Sequence, residues 1–342
     1  MSKIILALES SCDETAAAII ADGHHVYSSV IASQIELHRL YGGVVPELAS
    51  RRHITSIVSV YEEAMAASGL TVDDLDAIAV TAGPGLIGAL LIGLSFAKAL
   101  AFGLQKPLIT VNHLASHLYA AFLNRPELEL PLLALVVSGG HTELIYLEEH
   151  LQFMRLGHTR DDAAGEAFDK IARRIGLGYP GGPLIEQAAL AGNSNAFAFP
   201  RALSQDVTYD FSFSGLKSAV INEIHKIEQR GQDVPVADIA ASFQQAVVDV
   251  LVNNTVRAAL EKKVERVALV GGVAANSAIR QQLGDALQEQ QIELIYPEKV
   301  FCTDNAAMVG AAAYHYYQQG RFADMKVNAF AGITMDEEIW VQ

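Results

Sequence analysis

The residues with the most pointed chemical spacing are Asn112-His113-Leu114-Ala115-Ser116-His117. If Asn112 caps a helix, His113 and His117 lie one turn apart on the same face. Two imidazoles so placed suit a single transition metal, which then needs a further ligand from elsewhere. Asp304, beside Asn305 at an expected strand-to-helix junction, is the candidate. In the plainer alternative one histidine satisfies a backbone group while the other faces water. The pair is not the metalloprotease signature, which needs a general-base Glu directly after the first histidine; Leu114 stands there.

Two short polar turns offer a different chemistry. Ser10-Ser11-Cys12-Asp13-Glu14-Thr15 and Ser138-Gly139-Gly140-His141-Thr142 are both small, polar and set between apolar runs. Small residues let backbone amides come close to phosphate oxygens, and hydroxyls add donors. Asp13 and Glu14 would repel a phosphate unless a cation or a water lay between. As a matched pair the turns suggest a nucleotide or acyl-phosphate site; singly, each is an ordinary strand connection. Gly271-Gly272-Val273-Ala274-Ala275-Asn276 sits between a Val-rich strand and a helical pattern. There Asn276 could bond a ribose or base, or the glycines could simply end the strand. This stretch lacks the GxGxxG spacing, and the GxxxxGK[ST] phosphate loop is absent.

From Asp161 to Pro183, DDAAGEAFDKIARRIGLGYPGGP reads as a helix flanked by turns. Asp162, Glu166 and Asp169 can share one face, and a solvated acidic stripe is the alternative for the first two. The helix carrying Asp169 leads into a glycine turn able to approach a ligand. Ser212, Ser214 and Lys217 lie beside aromatics in FSFSGLKSAV. Lys217 suits a phosphate or RNA backbone, or a plain amphipathic surface.

These residues need elements to hold them. KIILALESSCDETAAAII reads as strand, polar turn, strand, and GHHVYSSVIA continues as a third strand. The pattern returns in LLALVVSGGHTELIYLEE followed by LQFMRLGHT. Helical periodicity follows each opening, as in Ile54, Ile57, Val58, Tyr61 and Met65. LDAIAVTAGPG, PLITVNHLASHLYAAFL and VERVALVGGVAANSAIRQQL each run from strand into helix, and FCTDNAAMVGAAAYHYYQQG supplies a late small-residue helix. Alternating strands and helices with a repeated opening predict an α/β chain of two related lobes, not a solenoid. The expected lobes are 1–110, with the helix near 306–325 returning to it, and 111–305 with helical insertions.

The 342 residues are 51% hydrophobic and 18% charged, which excludes disorder and coiled coil. A net charge of −15 argues against a chain that coats nucleic acid unaided. Cys12 and Cys302 are the two cysteines; they form no Cys-rich cluster and fit a reducing cytoplasm. The run into Ile4-Ile5-Leu6-Ala7-Leu8 shows no basic leader, so a cytoplasmic, non-membrane protein is expected. The apolar stretch from Leu86 to Leu104 is interrupted by Ser95 and Lys98, and a buried helix is expected there.

Taken together, LALESSCDETAAAI, the PGLIGAL region, NHLASH, LVVSGGHTEL, DDAAGEAFDK, YPGGP, FSFSGLKSA, GGVAANSAIR and CTDNAAMVG closely resemble the tRNA N6-adenosine threonylcarbamoyltransferase (TsaD) family, formerly labelled O-sialoglycoprotein endopeptidase. They occur in family order over nearly the whole chain. The resemblance implies a duplicated two-lobed actin/Hsp70/sugar-kinase-like fold with an interlobe cleft. It implies transfer of threonylcarbamoyl from threonylcarbamoyl-adenylate to N6 of adenosine 37 in tRNAs reading ANN codons, releasing AMP. Carried onto this chain, it makes His113, His117 and Asp304 the ligands of one divalent metal, Fe2+ or alternatively Zn2+. Val136, Val137, Ser138, Gly139, Gly140, Asp169, Gly182 and Asn276 match adenylate-binding positions. Glu186 stands where some relatives are acidic and others are not. Asp13 and Glu14 match an acidic turn near the phosphates, with Glu14 a candidate relay for the amine proton. The implied partners are tRNA, the non-catalytic paralogue TsaB and the small ATPase TsaE. A sugar or acetate kinase and a regulatory paralogue without chemistry are the competing classes on this fold.

Overall fold

A computed structural model describes residues 2–203, 208–335 and 337. Strands β1 (Ile4–Glu9), β2 (Glu14–Ala21) and β3 (His25–Ser33) form the first opening. Helices α1 (Ile35–Arg39) and α2 (Pro46–Ser68), strand β4 (Ala77–Gly83), helix α3 (Ile87–Leu104), strand β5 (Leu108–Asn112) and helix α4 (His113–Tyr119) follow. The second opening is β6 (Leu132–Val137), β7 (Thr142–Leu147) and β8 (Phe153–His158). Four helices come next: α5 (Ala164–Arg174), α6 (Gly181–Ala189), α7 (Ser214–Gln229) and α8 (Val236–Lys262). The chain continues through β9 (Arg266–Val270), α9 (Ser277–Gln288), β10 (Glu293–Ile295) and α10 (Ala306–Gln318).

Both sheets have five strands and the same plan. The first runs β3-β2-β1-β4-β5 and the second β8-β7-β6-β9-β10. In each, the opening strand pairs antiparallel with the next and parallel with a later one: β1 with β2 and β4, β6 with β7 and β9. The doubling read from the sequence is therefore a doubling of topology.

Contacts divide the chain into two units. One comprises Met1–Leu130, Glu149–Phe153 and Pro297–Gln342; the other comprises Pro131–Glu148 and Met154–Tyr296. Residues 111–130 and 297–305, placed in the second lobe on sequence grounds, thus group with the first unit. The cause is local: β5 continues to Asn112 as an edge of the first sheet, and α4 packs against α10.

In the first unit, alternation along β1 sends Leu6 and Leu8 into a core with Val60 of α2 and Leu90 and Leu94 of α3. The opposite face receives α10, whose contacts fall on β1 and β2. A Cβ at Gly310 would stand 2.6 Å from Ile20 Cγ1, so the small residues of α10 let that helix lie close to the sheet. Covered on both faces, β2 and β4 are buried at every position, which explains the apolar run Ala16–Ala21 in β2 and the mostly apolar AIAVTAG of β4. Helix α3 is long and apolar enough to cross a membrane, yet Ala89, Leu90, Gly93, Leu94, Ala97 and Ala101 face the protein interior. Its interrupting Lys98 donates to the Val327 carbonyl.

In the second unit, Leu133, Leu135 and Val137 of β6 meet Phe168 of α5, Phe213, and Phe243 and Val247 of α8 in a separate core. Helix α5 is strongly amphipathic: Ala164, Ala167, Phe168, Ile171 and Ala172 are buried on one stripe.

Candidate functional site

Strand β5 ends at Asn112, whose side chain accepts hydrogen bonds from the amides of Leu114 and Ala115 and so starts α4. Its amide nitrogen donates to the Thr334 carbonyl at 3.0 Å, tying this helix start to the C-terminal segment. His113 and His117 then project on one face, with ring centroids 4.7 Å apart. Asp304 arrives from the loop before α10, where Asn305 is the cap and accepts from Met308 N. Its Oδ1 lies 3.6 Å from His113 Nε2 and 3.1 Å from His117 Nε2. Ligands 2.0–2.1 Å from a tetrahedral ion stand roughly 3.3 Å apart, so this donor set fits one divalent ion. The three residues offer one ligand atom each, all within 4.8 Å of one another. All three belong to the first unit, not to the second lobe in which the sequence boundaries of 111–305 placed them.

Behind His113 sits a carboxylate that sequence reasoning passed over. Glu9 is fully buried, and its Oε2 lies 3.2 Å from His113 Nδ1. Burial alone would lower the His113 pKa, but Asp304 and Glu9 override it and lift it to about 9. Burial would raise the Glu9 carboxyl, but His113 holds it below its ordinary value. The available signal was a Glu at the end of the apolar run IILALE, an odd place for a charge.

The turn after β1 is engaged inward. Ser10 Oγ donates to the Ala89 carbonyl at 2.9 Å, and Ser11 Oγ lies 3.1 Å from His113 Nδ1. Thr15 Oγ1 meets His53 Nδ1 at 2.8 Å, while His53 Nε2 lies 2.9 Å from the Cys12 carbonyl. Burial, reinforced by Asp13, pushes the Glu14 carboxyl up to about 9, even though Ser33 Oγ donates to it at 2.7 Å. That direction favours the protonated form of the Glu14 carboxyl. Burial and Asp13 also push the Cys12 thiol up, which removes it as a thiolate nucleophile.

In the second unit the site candidates follow neighbouring strands. Val136 and Val137 are buried in β6, whose parallel partner β9 leads into Gly271. Ser138–Gly140 and Gly271–Asn276 thus both leave the C-terminal ends of adjacent parallel strands, where open α/β sheets bind ligands. Gly271 has φ +94°, and a Cβ there would stand 2.4 Å from the Val137 carbonyl. Helix α5 abuts the first loop: Gly165 N donates to the Ser138 carbonyl at 3.2 Å, and Ala164 N donates to Thr142 Oγ1 at 2.9 Å. Gly139, Gly140, Gly182 and Gly272 face open space at their Cβ positions. Asp169 accepts from Gly181 N at 2.7 Å, fixing the start of α6. Asn276 caps α9 through Ile279 N and donates to Gln244 Oε1 at 2.9 Å. Glu186 accepts from Ser277 N at 2.8 Å, in a groove of about 410 Å³ lined also by Pro183, Gln187 and Gln281.

Other residues singled out by sequence have structural work instead. Asp161 accepts from Ser212 Oγ at 2.5 Å, Ser214 Oγ at 2.6 Å and the amides of Phe213 and Ser214, which organises the start of α7. Lys217 pairs with Asp162, which also takes Lys170 at 2.9 Å. Asp162 and Glu166 thus balance lysines and are not a bare acidic stripe.

A family model described as TsaD, tRNA N6-adenosine threonylcarbamoyltransferase, matches residues 25–311. A curated transferase of that name from Clostridium perfringens is 52% identical over 335 residues, covering 98% of this chain and 99% of the relative. One from Clostridium botulinum is 54% identical over 333 residues, covering 97% and 98%. Among solved structures, full-length HypF in a phosphate- and nucleotide-bound form has a TM-score of 0.65 at 15% identity. That match covers 94% of this chain but only 47% of HypF, so the chain spans about half of that protein. Component A of the Acidaminococcus fermentans (R)-2-hydroxyglutaryl-CoA dehydratase has a TM-score of 0.54 at 15% identity, covering 93% of this chain and 98% of the other. Those two likenesses establish the duplicated actin/Hsp70-type fold. Identity above one half along nearly the full length, over a chain that keeps both histidines and the aspartate together, is more specific: this chain belongs to the tRNA N6-adenosine threonylcarbamoyltransferase family.

Proposed function

We propose that this chain transfers threonylcarbamoyl from threonylcarbamoyl-adenylate to N6 of adenosine 37 in tRNAs reading ANN codons, with release of AMP. The observation that carries the reading is full-length identity above 50% to transferases of that name. The donor is a mixed carbonyl–phosphate anhydride. The adenine amine attacks the carbonyl, a C–N bond forms, the C–O bond to phosphate breaks, AMP departs and the amine loses one proton.

His113, His117 and Asp304 would hold the metal, Fe2+ in the first instance and Zn2+ in the second. A bound divalent ion supplies Lewis acidity and a template for phosphate or carbonyl oxygens. The chain's own part is orientation. Backbone amides of Gly139 and Gly140 face the charged end of the donor, the Ser138 amide being bonded to the His141 carbonyl, while Asp169, Gly182 and Asn276 hold its nucleotide. Asp13 and Glu14 are the carboxyl pair proposed to relay the amine proton, and the raised Glu14 carboxyl suits hydrogen-bond donation. Burial keeps the Cys12 thiol a poor nucleophile, which supports direct transfer without a covalent enzyme intermediate.

The partners proposed are the paralogue TsaB, the ATPase TsaE and tRNA, in the cytoplasm. A net charge of −15 fits a chain that relies on other subunits to hold tRNA. Exposed Ile54 and Val58 on α2, beside exposed Ile87 and Leu91 on the adjoining α3, offer an apolar helical face to a related fold.

The test is nucleoside mass spectrometry of an ANN-decoding tRNA after incubation with preformed donor, the accessory proteins and this chain. Threonylcarbamoyladenosine should form, and should vanish when this chain is omitted. Unmodified tRNA in the complete, metal-loaded system, alongside peptide cleavage dependent on His113 and His117, would overturn the reading.

A further inference from the structure

We propose that Glu9 is a positioning residue for the metal centre, its buried carboxylate setting the tautomer and aim of His113. The inference rests on the metal reading of His113, His117 and Asp304. Glu9 ends β1 with no exposed surface, a costly place for a carboxylate unless every lone pair has a use. Its bonds leave it no freedom to turn. Oε1 accepts from Ser11 N at 2.5 Å, and Oε2 accepts from Thr81 Oγ1 at 2.6 Å, Thr81 being itself fully buried on β4. The remaining capacity of Oε2 faces His113 Nδ1 at 3.2 Å. A carboxylate accepts only, so Nδ1 must carry its hydrogen. Nε2, the atom facing Asp304, is thereby the nitrogen whose lone pair is offered to an ion. Ser11 Oγ, 3.1 Å from the same Nδ1, is a hydroxyl and fits either tautomer, so it cannot enforce the choice.

Glutamine at this position keeps the shape and still satisfies Ser11 N, but turns an NH2 group toward Nδ1. That favours a lone pair on Nδ1 and the hydrogen on Nε2, the wrong tautomer for coordination. Glu9→Gln in the full chain should therefore bind cobalt(II), used as a spectroscopic probe, about 10- to 100-fold more weakly than the parent protein. Its visible ligand-field bands should shift, while the metal-free protein still melts cooperatively. Thr81→Val, which removes the bond steadying Oε2, should give a smaller loss in the same direction and serves if Glu9→Gln does not fold. In a His113→Ala background, Glu9→Gln should add no further loss, because its effect passes through that ring. Parental affinity and bands in both variants would overturn the proposal. So would an undiminished loss in the His113→Ala background, which would make Glu9 a general structural residue. Failure of the parent protein to bind cobalt at all would remove the metal reading and this inference with it.

Discussion

The turns that follow β1 and β6 occupy equivalent places in two sheets of one plan, yet they present opposite parts of the chain. After β1, Ser10, Ser11 and Thr15 spend their hydroxyls on Ala89, His113 and His53, and a Glu9–His113 pair lies beneath. After β6, Ser138 Oγ merely accepts from His141 N, and Gly139 and Gly140 have open space where side chains would stand. One copy has become a scaffold of side chains around a metal-ligand set. The other is bare, with open space beside Gly139 and Gly140. Duplication supplied two identical frames, and the division of labour lies in which kind of atom each frame exposes.

The comparison breaks most visibly at the ligands. His117→Ala should lower transfer by about 100-fold or more and remove bound metal while the fold survives, because the site's chemistry is in its side chains. Metal analysis beside a turnover assay would check both; full activity in a metal-free variant would end the contrast. In the second unit damage should come from adding atoms. Gly140→Ala and Gly272→Ala meet nothing within 4 Å, so melting should hold steady while the KM for the donor rises roughly tenfold, a loss of about 1.4 kcal/mol of binding. Gly271→Ala, with a Cβ 2.4 Å from the Val137 carbonyl, should instead cost stability, about 1–3 kcal/mol by denaturant titration. If the first two variants bind donor normally, those loops are not its seat.

Smaller effects sharpen the picture. A Glu14 carboxyl whose pKa rises from 4.5 to about 9 on folding is most favourable to the folded state below pH 4.5. That contribution is lost progressively as pH climbs toward 9. Glu14→Gln should therefore melt higher than the parent protein, with a gap that widens between pH 5 and 9; a gap independent of pH would contradict the assigned shift. Lys217→Met should change least. Its partner is Asp162, so about 1 kcal/mol of stability is at stake, and the salt dependence of tRNA binding should not move.

Legibility in the sequence followed the physics of each feature. The paired openings were readable because strands covered on both faces carry apolar runs, as in Ala16–Ala21 of β2 and Leu132–Val137 of β6. The histidine pair was readable because helical spacing alone places both rings on one face. Glu9 was not, since its role depends on the register of β1 against β4 and on a helix more than a hundred residues away. The edge of the first unit was missed for a similar reason. Nothing local in PLITVNHLASH tells which sheet the strand will join, and β5 joins the first. Lys217 looked available for phosphate because Asp162, its partner, lies 55 positions earlier.

The first unit is built from both ends of the chain around a second unit that is nearly continuous, and Asp304 meets His117 across 187 positions. On the ribosome this imposes a schedule. Strand β5 and both histidines emerge early, but the third ligand and the small-residue helix that roofs β1 and β2 emerge only after the whole second unit has been made and has had time to fold. Nascent or truncated chains that stop short of Asp304 hold two imidazoles and no centre. A metal held by all three ligands would thus report that synthesis has run past residue 304.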